Sequence, residues 1–229
     1  MNIQISEQIA TQCPRLCVAA LTAEVVNSDN CDALWQAIEQ CEVDFRAQFT
    51  PETLKQRPGI AATRAAYKAL GKDPSRYRPS NEALVRRTLQ GKSLYRINTL
   101  VDLGNLASIR HGYSIGGFDL DRIEGDSLTL GVGREGEPYE GIGRGTLNIA
   151  GLPVYRDRTG GIGTPTSDNE RTKIGLDTRR VLFLVNGYDG DEANVRACAL
   201  YLQHLMTTYA EGHHFDLQVL RAASPLSNN

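Results

Sequence analysis

The 229-residue chain contains no apolar run approaching the roughly 20 residues needed to span a bilayer. Its opening, MNIQISEQIA, lacks the basic and apolar regions of a secretory leader, so a cytoplasmic protein without a membrane role is expected. Cysteine is sparse and scattered: Cys13, Cys17, Cys31, Cys41 and Cys198 form an odd set. Cys13 and Cys17 have the look of half a metal site, but no second pair or nearby histidine completes it. Free thiols in a reducing compartment are therefore expected, and no metal. The four histidines, His111, His204, His213 and His214, have no nucleophile elbow beside them, which disfavours a Ser-His-Asp or Cys-His covalent mechanism. For His213 and His214, just past a helix, exposure or capping is the expectation and metal binding the alternative.

Nucleotide motifs are missing as well. GKDPS, from Gly71 to Ser75, has no glycine five residues before its Gly-Lys and no strand leading into it, which rules out a P-loop. GVGREG, from Gly131 to Gly136, has the spacing of a dinucleotide fingerprint. It runs into Glu137 and Pro138 instead of a helix, so no helix N-terminus is available for a pyrophosphate. No cofactor is expected.

What is present is an ordinary globular composition, 41% hydrophobic and 23% charged, without a linker or a composition break. One domain over 1–229 is expected: an N-terminal extension of strand and helices (1–70) and a motif-bearing core (71–220). The net charge of −2 is unevenly spread. Residues 1–54 carry two basic and eight acidic side chains, 55–110 carry twelve and three, and 111–229 carry eleven and sixteen. The +9 middle segment is either a localised phosphate-binding surface or a pair of solvated Arg-rich helices.

Cys17–Val26 reads as a buried strand, followed by a helix from about Asn30–Asp32 towards Phe49 and an Ala-rich helix over Ile60–Leu70 stopped by Gly71. Arg76, Tyr77 and Arg78 interleave cations with an aromatic ring, able to stack on a base and hold a phosphate, or to clamp two helices. Ser127–Val132, Leu147–Ile149, Pro153–Arg156, Val181–Val185 and Phe215–Leu220 read as strands. A last helix is expected over about 191–210, and a frayed tail after Ala222. The segment 159–180 starts as a flexible Gly-rich stretch and becomes densely polar at Ser167, Asp168, Glu170, Arg171, Thr172 and Lys173. A buried core could not satisfy such density cheaply, so it is a solvent excursion or part of a site.

The stretch from Arg78 to Asp126 organises the rest. Ser80 is a good N-cap, Glu82 suits the helix dipole, and Leu84, Val85 and Leu89 make an apolar face, with Arg86 and Arg87 opposite and Gly91 as the stop. A second helix starts on Asn98 as N-cap and ends at Gly112. Asn98, Asp102 and Asn105 share one stripe of it, either a site or a solvated face with a capping Asn.

NTLVDLGN, from Asn98 to Asn105, followed by FDLDRI, from Phe118 to Ile123, resembles the N-x-x-V-D-x-x-N and H-x-F-D-x-D-K-I signature of the B3/B4 domain in the phenylalanyl-tRNA synthetase beta subunit. Free-standing proteins built on that domain carry K-D-P-x-x-Y-R-P-S-x-E-A-L-x-R-R, as this chain does from Lys72 to Arg87. They also carry an S-x-x-R-T-K-x-x-x-x-T pattern, matched here from Ser167 or Asp168 through Arg171, Thr172 and Lys173 to Thr178. The resemblance implies an α+β domain of mixed sheets packed on helices, and hydrolysis of a wrongly charged aminoacyl-tRNA. On it, Asn98, Asp102, Asn105, Asp119 and Glu170 are the candidate catalytic residues. Gly116, Gly117, Phe118, Ser167, Asp168, Arg171, Thr172 and Lys173 are the candidate pocket. The expected tRNA contacts are Lys72, Arg76, Tyr77, Arg78, Arg86, Arg87, Lys92 and Arg96.

Two departures limit the transfer. Gly116 and Gly117 stand where the synthetase signature has His and a small residue, and residues 158–166 differ from the aromatic, Arg-rich version of free-standing relatives. An activated ester needs no covalent catalysis: placed water and an oxyanion donor, here N–H groups around Gly116 and Gly117, can suffice. The leading reading is a deacylase acting on the aminoacylated 3′ end of tRNA. The alternatives are a non-catalytic RNA-binding module and a binder of small amino-acid derivatives.

Overall fold

A computed structural model describes residues 1–222; the tail after Ala222 lies outside the described residues. In chain order the elements are β1 (Asn2–Ile5), α1 (Glu7–Gln12), β2 (Cys17–Glu24), α2 (Asp32–Gln48), α3 (Pro58–Ala69), α4 (Ser80–Leu89), α5 (Thr99–His111) and β3 (Ser114–Asp119). They continue with β4 (Ser127–Val132), β5 (Glu140–Gly141), β6 (Gly145–Thr146), β7 (Pro153–Arg156), β8 (Gly161–Gly163), β9 (Arg180–Gly187), α6 (Glu192–Tyr209) and β10 (His213–Arg221). The fold is α+β. One sheet runs β10-β2-β9-β3, antiparallel throughout; a second runs β1-β4-β7-β8 and is mixed, with β1 parallel to β4.

The layering follows from β9, whose VLFLV run shows no polar alternation because both faces are covered. Val181, Phe183 and Val185 join Ala19 and Leu21 of β2 in a core filled by α2, α5 and α6. Leu182 and Leu184 join Val18 and Ala20 in a second core, closed by Leu128 and Leu130 of β4. Helices, first sheet and second sheet are thus stacked in that order, each buried Leu or Val contributing about 1.5–3 kcal/mol. β2, from the N-terminal extension, lies between β10 and β9.

Several expectations are corrected. Gly116–Asp119, for which no strand was expected, belongs to the edge strand β3, paired to β9 from Ser114↔Asn186 to Asp119↔Val181. The flexible Gly-rich beginning of the 159–180 segment contains β8, which is buried. Leu147–Ile149 forms no strand, because the Asn148 side chain turns back to accept from the Ala150 N–H. Ser80 is the first residue of α4, with Pro79 at its cap. β1 and α1 had no expected counterpart. No helix among the described residues is long and apolar enough to cross a membrane.

Candidate functional site

The chain builds a cavity of about 490 Å³, mostly apolar in its lining, against the β3 edge of the first sheet. Ile115 and Gly117 of β3 share one face by strand alternation and line it, with Phe183 of β9 beside them. α5 contributes Val101, Gly104, Asn105 and Ser108, and α4 contributes Ser80 and Leu84. The loop 164–174 covers the opposite side through Thr164, Ser167, Asp168, Lys173 and Ile174. Exposed Ile97 and Ile142 complete the lining. Small residues make this possible: a Cβ on Gly104 would stand 3.2 Å from the Phe183 ring, and one on Gly117 would stand 2.9 Å from Phe183 and 3.0 Å from Ile174.

α5 is set by its ends. Asn98 accepts from the Val101 N–H at 3.0 Å, and Gly112 leaves the helix at φ 86°, a left-handed conformation that glycine adopts without a Cβ penalty. Of the polar stripe along α5, only Asn105 lines the cavity. Asn98 is occupied as the cap. Asp102 accepts from Trp35 Nε1 at 2.8 Å and from the Ile97 N–H at 3.2 Å, inside the helical layer, where burial raises its pKa.

Asp168 is the chemically distinctive group. Its Oδ2 accepts from the Gly117 N–H at 3.2 Å, and it has no cationic partner among the described residues. Desolvation pushes its pKa up to about 7, against the opposing pull of that one N–H. Glycines shape its seat, since a Cβ on Gly163 would stand 3.0 Å from Oδ1 and one on Gly116 would stand 3.5 Å away. The Gly116 Cβ would also lie 2.8 Å from the Phe118 ring, so the histidine of the synthetase signature has no room here. The loop carrying Asp168 is braced from outside. Tyr139 donates to the Ser167 carbonyl at 2.7 Å, the Tyr67 and Thr166 hydroxyls meet at 2.9 Å, and Thr164 Oγ1 accepts from the N–H groups of Thr166 and Ser167.

The other expected site residues separate into the cavity and its supports. Gly117, Ser167, Asp168 and Lys173 line the cavity. Gly116 and Phe118 turn to the opposite face, where Phe118 is core. The Gly117 N–H, expected as an oxyanion donor, is taken by Asp168. Asp119 accepts from the Thr178 hydroxyl at 2.8 Å and from the Asp121 N–H, tying the end of β3 to the approach to β9. Arg171 makes a bidentate pair with Asp157, both contacts at 2.9 Å, and Thr172 is buried with no partner for its hydroxyl among the described residues. Glu170 faces outward; the Lys173 ammonium, followed by the Gly143 N–H, holds its carboxyl below the usual range. Of the lining residues with no counterpart in the expected site, Gly104 and Ile174 fall at unspecified positions of the quoted patterns, Phe183 lies within an apolar strand and Thr164 carries no motif, so only the fold brings them together.

The basic segment is likewise divided. Lys72 is buried and donates to the carbonyls of Asn148 (3.2 Å) and Ala150 (2.5 Å), with its ammonium 3.7 Å from the centre of the Tyr77 ring. Desolvation lowers its pKa. Arg86 binds Glu82, Arg87 donates to the Ser93 carbonyl and covers Tyr95, and Arg96 covers Trp35. Arg76, Arg78 and Lys92 are exposed.

No curated protein matches the chain. Among solved structures it is similar to an N-terminal fragment of the phenylalanyl-tRNA synthetase beta-subunit from Pyrococcus horikoshii, at 13% identity and a TM-score of 0.49, covering 93% of this chain and 50% of that one. The chain therefore spans about half the length of that fragment. The B3/4 domain matches residues 62–216, from α3 through the cavity to β10, and on that match the chain belongs to the B3/4 domain family.

Proposed function

We propose that the cavity hydrolyses an aminoacyl ester and that the protein is a trans-acting aminoacyl-tRNA editing hydrolase, the whole chain acting as one unit. The observation that carries this reading is Asp168: an acid in the lining of a mostly apolar cavity, with one N–H partner and a pKa near the working pH of a general base. The reaction requires nothing further from a nucleophilic side chain. Asp168 takes a proton from water as the oxygen attacks the ester carbonyl, and the Asn105 amide meets the developing oxyanion. The acyl–oxygen bond then breaks, and Asp168 returns the proton to the departing ribose oxygen. Free amino acid and uncharged tRNA result.

The walls formed by Leu84, Val101, Ile115, Ile174 and Phe183 fit an apolar portion of the aminoacyl group. The tRNA part of the substrate rests on the signature residues of the family and on the exposed cations Arg76, Arg78 and Lys92. The test is deacylation of a panel of correctly and wrongly charged tRNAs, with wild type beside Asp168→Asn and Asn105→Ala. Selective hydrolysis that falls about 100-fold or more in Asp168→Asn is expected. Hydrolysis of no substrate, with tRNA still bound, or an unchanged rate in Asp168→Asn would overturn the reading.

A further inference from the structure

At the edge of the first sheet opposite β3, where β10 begins, the neighbouring His213 and His214 converge on Glu24, which is remote from them in sequence. His213 is the cross-strand partner of Glu24 at the end of β2, and His213 Nε2 lies 3.3 Å from Glu24 Oε2. His214 would face the other side of a regular strand. It does not, because the ladder shifts register between His213 and Asp216 and His214 takes a left-handed backbone conformation, φ 50°. The bulge re-aims its ring, and His214 Nδ1 lies 3.2 Å from Glu24 Oε1.

We propose that Glu24, His213 and His214 bind one divalent transition-metal ion of the zinc class, with the remaining position open to water. The three candidate ligand atoms lie within 4.8 Å of one another. Each imidazole nitrogen approaches its own oxygen of Glu24, His213 Nε2 at 3.3 Å from Oε2 and His214 Nδ1 at 3.2 Å from Oε1, so with either oxygen as the ligand one of these separations matches the roughly 3.3 Å edge of a tetrahedron with metal–ligand bonds near 2.0–2.1 Å. The tautomer also fits. His213 Nδ1 is 2.9 Å from the Glu211 carbonyl, which can only accept, so the proton of the neutral ring sits on Nδ1 and the Nε2 lone pair faces Glu24. Two electron-rich atoms aimed at one another need a proton or a cation between them. Arg180, opposite Glu24 on β9, is held by Asp121, which leaves the Glu24 carboxylate to the histidines. The imidazole and carboxylate set suits Zn²⁺, Co²⁺ or Ni²⁺ better than Mg²⁺ or Ca²⁺. Bound there, the ion would staple the start of β10 to the end of β2.

The test is titration of the full chain with ZnCl₂ against a chromophoric chelator, together with the visible spectrum of a Co²⁺ complex. One equivalent of Zn²⁺, a Co²⁺ spectrum without a thiolate charge-transfer band, and a rise in Tm that a chelator reverses are expected. Glu24→Gln and His214→Gln, both at exposed side chains, should each weaken binding at least tenfold while leaving the metal-free Tm within about a degree. Absence of stoichiometric binding, binding unchanged in both variants, or a thiolate band pointing to the cysteines would each overturn the proposal.

Discussion

Asp168→Asn removes a charge the fold holds at a cost, so the variant should be more stable than wild type wherever that charge is present. The Asp168 carboxyl titrates near 3.8 in the unfolded chain and near about 7 in the folded one. Between those values the folded state binds more protons than the unfolded state, so stability falls as pH rises from about 4 to 7 and is level above. Roughly three pK units at about 1.4 kcal/mol each set an upper bound near 4 kcal/mol. Water reaching the cavity screens the group and lowers the expected figure to about 2 kcal/mol. The asparagine keeps an oxygen for the Gly117 N–H, so little else is lost. Paired urea unfolding of wild type and Asp168→Asn at pH 3.5, 5, 6, 7 and 8 isolates the term, because other carboxylates cancel in the difference. The variant should gain almost nothing at pH 3.5 and about 2 kcal/mol at pH 8, a midpoint shift on the order of 1 M. A difference independent of pH, or a wild type more stable at pH 8, would refute the assignment of a strained, ionisable Asp168.

Other perturbations separate support from function. Glu82 is fully buried between Arg64 (2.7 Å) and Arg86 (2.8 Å); burial alone would raise its pKa, but the two guanidiniums outweigh it and hold the carboxyl below its usual value. Glu82→Gln should therefore cost about 2 kcal/mol at pH 7. That deficit should shrink as pH falls below about 4 in thermal or urea unfolding, because wild type loses the same interaction on protonation. Lys72→Met should lower stability by about 1–2 kcal/mol without changing the salt dependence of tRNA binding, whereas Arg78→Gln and Lys92→Gln should each reduce the slope of log K against log salt by about one. Filter binding from 50 to 300 mM salt distinguishes them. Gly117→Ala should cost about 1–3 kcal/mol and reduce deacylation, since the new methyl meets Phe183 and Ile174 at about 3 Å; a fully active variant of unchanged stability would contradict the packing.

The local signals that placed elements were capping residues and apolar runs. Asn98, Gly112, Gly91 and the VLFLV run sit where chain chemistry alone puts them, because each acts on its own few residues. β3 was hidden: two glycines weaken any local strand signal, and only pairing with β9 makes Ser114–Asp119 a strand. The +9 segment shows the same limit. A count of cations does not reveal that Lys72 is held by the carbonyls of Asn148 and Ala150, contacts that exist only once the chain after α3 meets the 148–150 turn; the Arg86–Glu82 pair, i to i+4 along α4, lay within reach of helical spacing. The α5 stripe fails for a related reason. Helical spacing puts Asn98, Asp102 and Asn105 together, but Asn98 must cap the helix and Asp102 must answer Trp35, which arrives from α2.

Asp102 and Asp168 then pose one question twice, since burial raises the pKa of both and desolvation alone cannot tell a strut from a base. What separates them is how their oxygens are occupied. Each oxygen of Asp102 has a donor, the Trp35 indole on one and the Ile97 N–H on the other, so its charge is answered by fixed protein dipoles and no site for water is left. Asp168 has a single donor on Oδ2 among the described residues, while Oδ1 lies against Gly116 and Gly163. Removing those Cβ atoms does not stabilise the carboxylate; it brings backbone close enough to hold the group in place without neutralising it. Gly116, Gly117 and Gly163 around one acid with a single N–H donor cost backbone entropy and ionisation energy together, and a carboxyl of raised pKa in the wall of the cavity is the physical consequence.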